Sequence, residues 1–276
     1  MTCFHPVWLE KLNMSVPCRK CIACRVALTR EWTTRLMHES LTSEHNCFLT
    51  LTFADEHLPL CRSLCKRKLQ LFIKRLRKRI EPVRIKYYAV GEYGENHSRE
   101  HYHLIIFGWE PDIKDLYLAS YKKGKVYYGS RTIHAIWPFG FNVVGQVTRV
   151  SCQYVVGYVR KKLSGSLGKR IYLGRLPPFA LQSTGLGSRY AWSHKDDIQE
   201  HLCCREGNHN LGLPRYYKRL LDIDSARLID ARKTRDFNTA LPYYEDDMTH
   251  DEYVKLQASV MHQKEVDMLA QERIKK

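Results

Sequence analysis

Arg99-Glu-His-Tyr-His-Leu-Ile-Ile-Phe-Gly108 decides the reading of this chain. The apolar run Leu104 to Phe107, closed by Gly108, predicts a β-strand. Side chains alternate faces along a strand, so His101 and His103 point one way and Tyr102 the other. Two imidazoles on one strand face form a two-ligand grip for a metal ion. The alternative is a pair of solvated histidines on a half-exposed strand. With 13 His among 276 residues, chance supplies roughly 0.6 His-x-His pairs, so the pair gains meaning only from its neighbours.

Upstream, Lys86-Tyr-Tyr-Ala-Val-Gly-Glu-Tyr-Gly94 also reads as a strand, rich in aromatic and β-branched residues and ended by glycine. The polar link Glu95-Asn-His-Ser-Arg-Glu100 is short enough for a hairpin between adjacent antiparallel strands. Glu92 then stands beside the histidine pair and completes a two-His, one-carboxylate site, a mixture that suits Mg²⁺ or Mn²⁺. His97 in the connection is a rival ligand.

Downstream, Ser151-Cys-Gln-Tyr-Val-Val-Gly-Tyr-Val-Arg-Lys-Lys-Leu163 reads as a helix. Ser151 is its expected N-cap, and lysines gather at the C-terminal end, where the helix dipole favours them. Tyr154 and Tyr158 are four apart and share one face, and Lys161 lies three further on the same side. A tyrosine hydroxyl is a poor nucleophile at its usual pKa of about 10. A neighbouring lysine, or a metal that neutralises the phosphate, makes its attack feasible. Two tyrosines packed as ordinary amphipathic side chains are the alternative.

These signals fall in an order along the chain: the apolar strand Phe48-Leu-Thr-Leu-Thr-Phe53, then Glu92, His101-Tyr-His103, and the helix with Tyr154 and Tyr158. The series resembles the HUH (His-hydrophobe-His) endonucleases that start rolling-circle replication. More narrowly, it resembles the replication initiation proteins of the gokushoviruses, single-stranded DNA phages of the Microviridae. Val16-Pro-Cys-Arg-Lys-Cys-Ile-Ala-Cys-Arg25, Ser183-Thr-Gly-Leu-Gly-Ser188 and Leu213-Pro-Arg-Tyr-Tyr217 add to the likeness, which covers roughly residues 1–225.

The resemblance implies an α+β HUH endonuclease fold. A central antiparallel sheet with flanking helices carries His101 and His103 on its middle strand, and the tyrosine helix lies across that face. It implies that His101, His103 and Glu92 bind Mg²⁺ or Mn²⁺ and that Tyr154 or Tyr158 attacks origin DNA. The products are a 5′-phosphotyrosine and a 3′-OH that primes a host polymerase; the second tyrosine makes the later cut. Two-tyrosine relatives often carry lysine three residues after each tyrosine. Tyr158 has Lys161, but Gly157 fills that place after Tyr154, so Tyr158 is favoured if one tyrosine is essential. A relaxase or transposase would use the same residues. A non-catalytic, zinc-stabilised DNA-binding protein would need no tyrosine.

Composition agrees. The formal net charge is +16. Residues 241–276 hold eight acidic and five basic side chains, so residues 1–240 carry +19, an electrostatic footprint for a phosphate backbone. The densest basic stretch, Lys66 to Ile80, has Leu69, Phe72, Ile73, Leu76 and Ile80 at helical spacing. Its outer face, with Lys74 and Arg75, either touches flanking duplex or is simply solvated. Arg160 and Lys162 are further DNA-contact candidates. Aromatic residues in Tyr127-Tyr-Gly-Ser-Arg131 and Trp137-Pro-Phe-Gly-Phe141 either stack on unpaired bases or belong to the core.

Cys18, Cys21 and Cys24 form a C-x2-C-x2-C run that Cys3 can complete to four thiolates. Such a set suits structural zinc; an iron–sulfur cluster and metal-free thiols are the alternatives. No apolar leader and no run of about 18 apolar residues appears, so the expectation is a protein of the host bacterial cytoplasm, off the membrane. It carries no Walker A motif, and unwinding is expected from a host helicase. Expected organisation is a Cys-rich segment with a helix at Thr29–Leu41 (residues 1–45), an endonuclease core (46–200) and a partly helical C-terminal extension (201–276).

Overall fold

The computed structural model describes residues 3–59, 61–94, 98–122, 124–161, 170–207, 209–231, 233–234 and 248–274. Along the chain run β1 (Val7–Leu9), β2 (Met14–Val16), α1 (Ile22–Leu41), β3 (Asn46–Thr52), α2 (Lys66–Arg79), β4 (Lys86–Tyr93) and β5 (Glu100–Phe107). They are followed by β6 (Leu116–Lys122), β7 (Lys125–Ser130), α3 (Arg131–Ile136), β8 (Asn142–Gly145), α4 (Arg149–Lys161), β9 (Phe179–Gln182), β10 (Cys203–Glu206) and β11 (His209–Gly212). Short helices at Ser188–Ser193, Lys195–His201 and Arg215–Leu220, and a long one at His250–Ile274, complete the described chain. It divides into two compact units, Trp32–His194 and Met1–Glu31 with Lys195–Lys276.

The first unit is built on a seven-stranded antiparallel sheet of order β6-β7-β8-β3-β5-β4-β9. β4 and β5 form the hairpin that the sequence predicts, with Glu92 opposite His101. β3 reaches across to pair with β5, Thr50 opposite His103 and Thr52 opposite His101. β5 is thus an interior strand, one place from the central β3 rather than the middle strand expected.

The strand period sorts the side chains into two layers. On the back face, Tyr102, Leu104, Ile106, Leu49 and Leu51 pack against Leu69, Phe72, Ile73 and Leu76 of α2 and Ile133 of α3. Burying each of the four α2 side chains contributes about 1.5–3 kcal/mol. Lys74 and Arg75 are left exposed on the outer surface of that helix. On the front face, Ile105, Phe107, Tyr88 and Val90 pack against Leu36 of α1 and Cys152, Val155 and Val156 of α4.

Helix boundaries differ from expectation in two places. α1 starts at Ile22, not Thr29, because the third cysteine of the N-terminal run already lies in its first turn. α4 starts at Arg149, before Ser151. The Thr148 hydroxyl accepts from the Ser151 amide at 3.1 Å, and the Ser151 hydroxyl accepts from the Thr148 amide at 2.8 Å. This reciprocal pair makes Thr148 the cap and Ser151 its partner three residues on.

Gly185-Leu-Gly187 forms a turn. The Gly187 amide donates to the buried Glu39 carboxylate at 2.7 Å, and Lys86 Nζ donates to both the Gly185 carbonyl and Glu39. An amide already held by a carboxylate offers nothing to a phosphate.

In the second unit, β1 pairs with β2 and β10 with β11 as two separate hairpins. His5 and Glu265 meet at 2.9 Å there. No helix of the described residues is long and apolar enough to cross a membrane.

Candidate active site

The hairpin and the β3–β5 pairing gather the predicted metal ligands on the front face. Glu92 and His103 are buried, 6% and 4% exposed, and His101 is half-buried. The two imidazole rings are parallel within 3°, with centroids 6.4 Å apart, as successive side chains of one strand face should be. His101 Nδ1 contacts the Arg99 carbonyl at 2.7 Å. A carbonyl only accepts, so Nδ1 carries the proton and the Nε2 lone pair of the neutral ring is left for an ion.

His103 is held at both nitrogens. Nδ1 meets the Thr50 hydroxyl at 2.9 Å, and Nε2 meets Glu92 Oε1 at 3.3 Å. The second distance is long for a hydrogen bond but close to the separation of about 3 Å between two neighbouring ligands of an octahedral divalent ion. The Thr50 hydroxyl can donate to Nδ1 or accept from it. It therefore supports Nε2–H facing Glu92 when no ion is bound, and a bare Nε2 when one is. His101, His103 and Glu92 form a donor set that fits a hard divalent cation. The rival ligand His97 lies outside the described residues.

α4 brings both tyrosines to this place. The Tyr158 ring stacks on His103 at 5.1 Å and 9°, and the Tyr154 ring meets His103 edge-on, also at 5.1 Å. The two tyrosine rings are 4.8 Å apart. Phe48 of β3 packs beside them, 5.9 Å from His103 and 6.3 Å from Tyr154. Gly157 lies between the tyrosines on the helix face, and nothing fills the space where a side chain would stand. The result is an open cleft of about 920 Å³ lined by His101, His103, Glu92, Thr50, Tyr154 and Tyr158.

The other candidates are placed less closely. Lys161 is the last residue of α4 and Arg160 precedes it, but their side chains, like all of Lys162, lie outside the described residues. Lys74 and Arg75 sit on α2, behind the sheet. Of the aromatic candidates, Trp137 is fully buried in the back core, whereas Tyr127, Tyr128 and Phe141 are exposed. Thr50 and Phe48 escaped notice as site residues, although both stand in the quoted Phe48–Phe53 strand.

In the other unit the four predicted thiols converge. All sulfur atoms of Cys3, Cys18, Cys21 and Cys24 lie within 4.8 Å of one another, and Cys3 and Cys21 are 3.8 Å apart. Four sulfurs at about 2.3 Å from a tetrahedral zinc ion stand about 3.8 Å apart. Backbone amides of Lys20 and Cys21 point at Cys18 Sγ, and that of Cys18 points at Cys3 Sγ. The Cys21 amide above all holds the Cys18 thiol down to about 6, while burial pushes Cys24 up to about 12. Charge on all four sulfurs therefore calls for a cation among them. The cluster can hold a metal such as zinc.

A family model of the replication-associated protein ORF2 type matches residues 46–163, a segment that runs from β3 to just past α4 and encloses the whole cleft. The chain is 34% identical over 223 residues to the replication-associated protein ORF2 of Spiroplasma virus 4, across 76% of this chain and 69% of that protein. It is 39% identical over 162 residues to the replication-associated protein VP4 of Bdellovibrio phage phiMH2K, across 56% and 51%. It is 30% identical over 232 residues to the replication-associated protein ORF4 of Chlamydia phage 1, across 79% and 56%. The matched regions thus span about half to two thirds of these relatives' lengths. No solved structure matches. With the cleft inside the matched segment and a relative aligned over most of both chains, this protein belongs to the family of replication-associated ORF2 proteins found in these phages.

Proposed function

We propose that this chain is the replication initiator of a single-stranded DNA phage and works as a metal-dependent, site-specific single-strand nickase and ligase of the HUH type. One observation carries the reading: two tyrosines of one helix face stand at the same ring distance, 5.1 Å, from a histidine that also meets Glu92. Core packing alone does not explain it, because Tyr154 is 48% exposed and the cleft above both rings is open.

His101, His103 and Glu92 hold Mg²⁺ or Mn²⁺, which when bound polarises the scissile phosphodiester as a Lewis acid. The Oη of one tyrosine attacks phosphorus and gives up its proton. The P–O3′ bond breaks, and the departing 3′ oxygen takes up a proton. The products are a 5′-phosphotyrosine and a free 3′-OH. Lys161, on the tyrosine side of α4, favours the phenolate. The 3′-OH primes a host polymerase, while a host helicase opens the duplex.

After one round the second tyrosine cuts the regenerated origin. The new 3′-OH attacks the first phosphotyrosine, and the circle closes. Tyr158 is the better placed for the first attack, since its ring lies flat on His103 and Lys161 follows it by one turn. Arg160, Lys162, Lys74 and Arg75 contact the DNA backbone, and a zinc ion on Cys3, Cys18, Cys21 and Cys24 staples the N-terminal segment. The protein acts in the host cytoplasm.

The test uses end-labelled single-stranded oligonucleotides tiled across the phage origin, incubated with Mn²⁺ or with EDTA and run on denaturing gels. A metal-dependent, protease-sensitive adduct that disappears in Tyr154→Phe/Tyr158→Phe and in His101→Ala supports the reading. Cleavage without an adduct points to activated water and makes the tyrosines structural. Tight binding without cleavage favours a non-catalytic DNA-binding protein.

A further inference from the structure

The front face of the sheet continues beyond the cleft. His103 of β5, Thr50 of β3 and Val143 of β8 are successive register partners. Tyr128 of β7 pairs with Val144, so one antiparallel step places Gly129 opposite Val143, and Gly129 pairs with Tyr117 of β6. A single cross-strand row thus runs His103, Thr50, Val143, Gly129, Tyr117. At roughly 4.8 Å per strand it leads about 14 Å from His103 to β7.

Helices cover only the near part of this face. The apolar cluster that α1 and α4 make with it draws on β3, β4, β5 and β9 and on no described residue of β6, β7 or β8. The far part carries aromatic rings laid open. A Cβ at Gly129 would come within 2.5 Å of Tyr117 Cζ and 2.7 Å of its Oη. Glycine there is what lets the Tyr117 ring lie down across β7, where its hydroxyl accepts from Asn142 Nδ2 at 3.3 Å.

In the next row Phe48 pairs with Gly145, and the same antiparallel step sets Tyr127 opposite Gly145. Tyr127 is 36% exposed and lines the cleft together with His101 and His103. Phe141, whose carbonyl accepts from the Thr52 amide, is 67% exposed. The charge on these strands has one sign: β6, β7 and β8 contain no acidic residue, and Lys125 is exposed on the Tyr127 side of β7. Open aromatic faces with positive charge, continuous with a phosphate-cleaving cleft, match the chemistry that holds unpaired bases. A duplex, whose bases are already stacked on one another, has no use for them.

We infer that the uncovered front face of β8, β7 and β6 is a second DNA subsite, where Tyr127 and Tyr117 stack the bases of the single strand next to the scissile phosphate. This rests on the nickase reading and names how its substrate is held. The subsite tolerates sequence, since every base has a π-face, and it selects single-stranded over double-stranded DNA.

The experiment is fluorescence anisotropy of the full chain with a labelled single-stranded origin oligonucleotide in EDTA, so that binding is read without cleavage. Tyr127→Ala and Tyr117→Ala are each expected to weaken binding by about 5- to 150-fold. Tyr127→Phe should restore it, and Gly129→Ala, which lifts the Tyr117 ring, should act like Tyr117→Ala. An abasic residue at one position should weaken wild-type binding but cost Tyr127→Ala nothing further. Circular dichroism spectra matching wild type confirm that Tyr127→Ala, an exposed site, is folded. The inference is overturned if Tyr127→Ala and Gly129→Ala bind within twofold of wild type while the wild-type adduct forms normally; the nickase reading then stands alone. It falls together with that reading if wild type binds no single-stranded DNA.

Discussion

Replacing Thr50 by valine is the sharpest probe of how the metal site is held. Valine keeps the β-branch and nearly the same volume, so β3 and its register with β5 are preserved. The atom lost is Oγ1, which lies 2.9 Å from His103 Nδ1. His103 is almost fully buried, so water does not readily replace that hydroxyl. Two effects follow. A buried ring nitrogen left without its partner destabilises the fold by about 1–3 kcal/mol. The ring also loses the contact that fixes its tautomer with Nε2 bare. Removing an outer-shell partner of this kind costs about 10- to 100-fold in metal affinity, or about 1.4–2.7 kcal/mol. Calorimetric titration with Mn²⁺ separates the two effects. Thr50→Val should bind 10- to 100-fold more weakly than wild type, and Thr50→Ser, which keeps the hydroxyl, within about threefold. Wild-type affinity in Thr50→Val would show that the hydroxyl does not orient His103.

Three further outcomes are expected. Tyr158→Phe should slow adduct formation more than Tyr154→Phe, and the double variant should form none, as read by single-turnover gel assays. Treatment with a strong chelator, or Cys21→Ser, should remove one equivalent of zinc per chain and lower the melting temperature; an unchanged metal content would exclude the four-thiolate site. The third concerns pH. Burial, with smaller contributions from His194 and Arg149, pulls His38 from 6.5 down to about 4. The unfolded chain therefore binds more protons than the folded one between those values. Stability should be full above pH 6.5 and fall by about 3 kcal/mol as pH drops toward 4. His38→Gln should flatten that slope in urea-unfolding curves measured from pH 7 to pH 4.

Much of this site was legible because its logic is local. The His101/His103 alternation and the Tyr154/Tyr158 spacing depend only on strand and helix periods. Glu92 followed from one short hairpin, and the α2 stripe from its heptad-like spacing. What escaped depends on pairings far apart in sequence. Thr50 reaches His103 only because β3 crosses to β5, and Phe48 joins the tyrosines by the same pairing. Gly129 gains meaning only from the β6–β7 register, which brings the Tyr117 ring over it. The Thr148 cap was missed because two hydroxyls three residues apart cap each other, and sequence alone did not say which one comes first. The four cysteines could be listed from their spacing, but only the fold shows Cys3, fifteen residues before Cys18, closing the set.

The most direct test of the nicking chemistry is peptide mapping of the protein after incubation with origin oligonucleotide and Mn²⁺. A nucleotide mass attached to the peptide that carries Tyr154 and Tyr158, absent in EDTA and in His103→Ala, is the expected result. A covalent adduct on any other peptide, or cleaved DNA with no modified peptide, would show that these two tyrosines are not the nucleophiles.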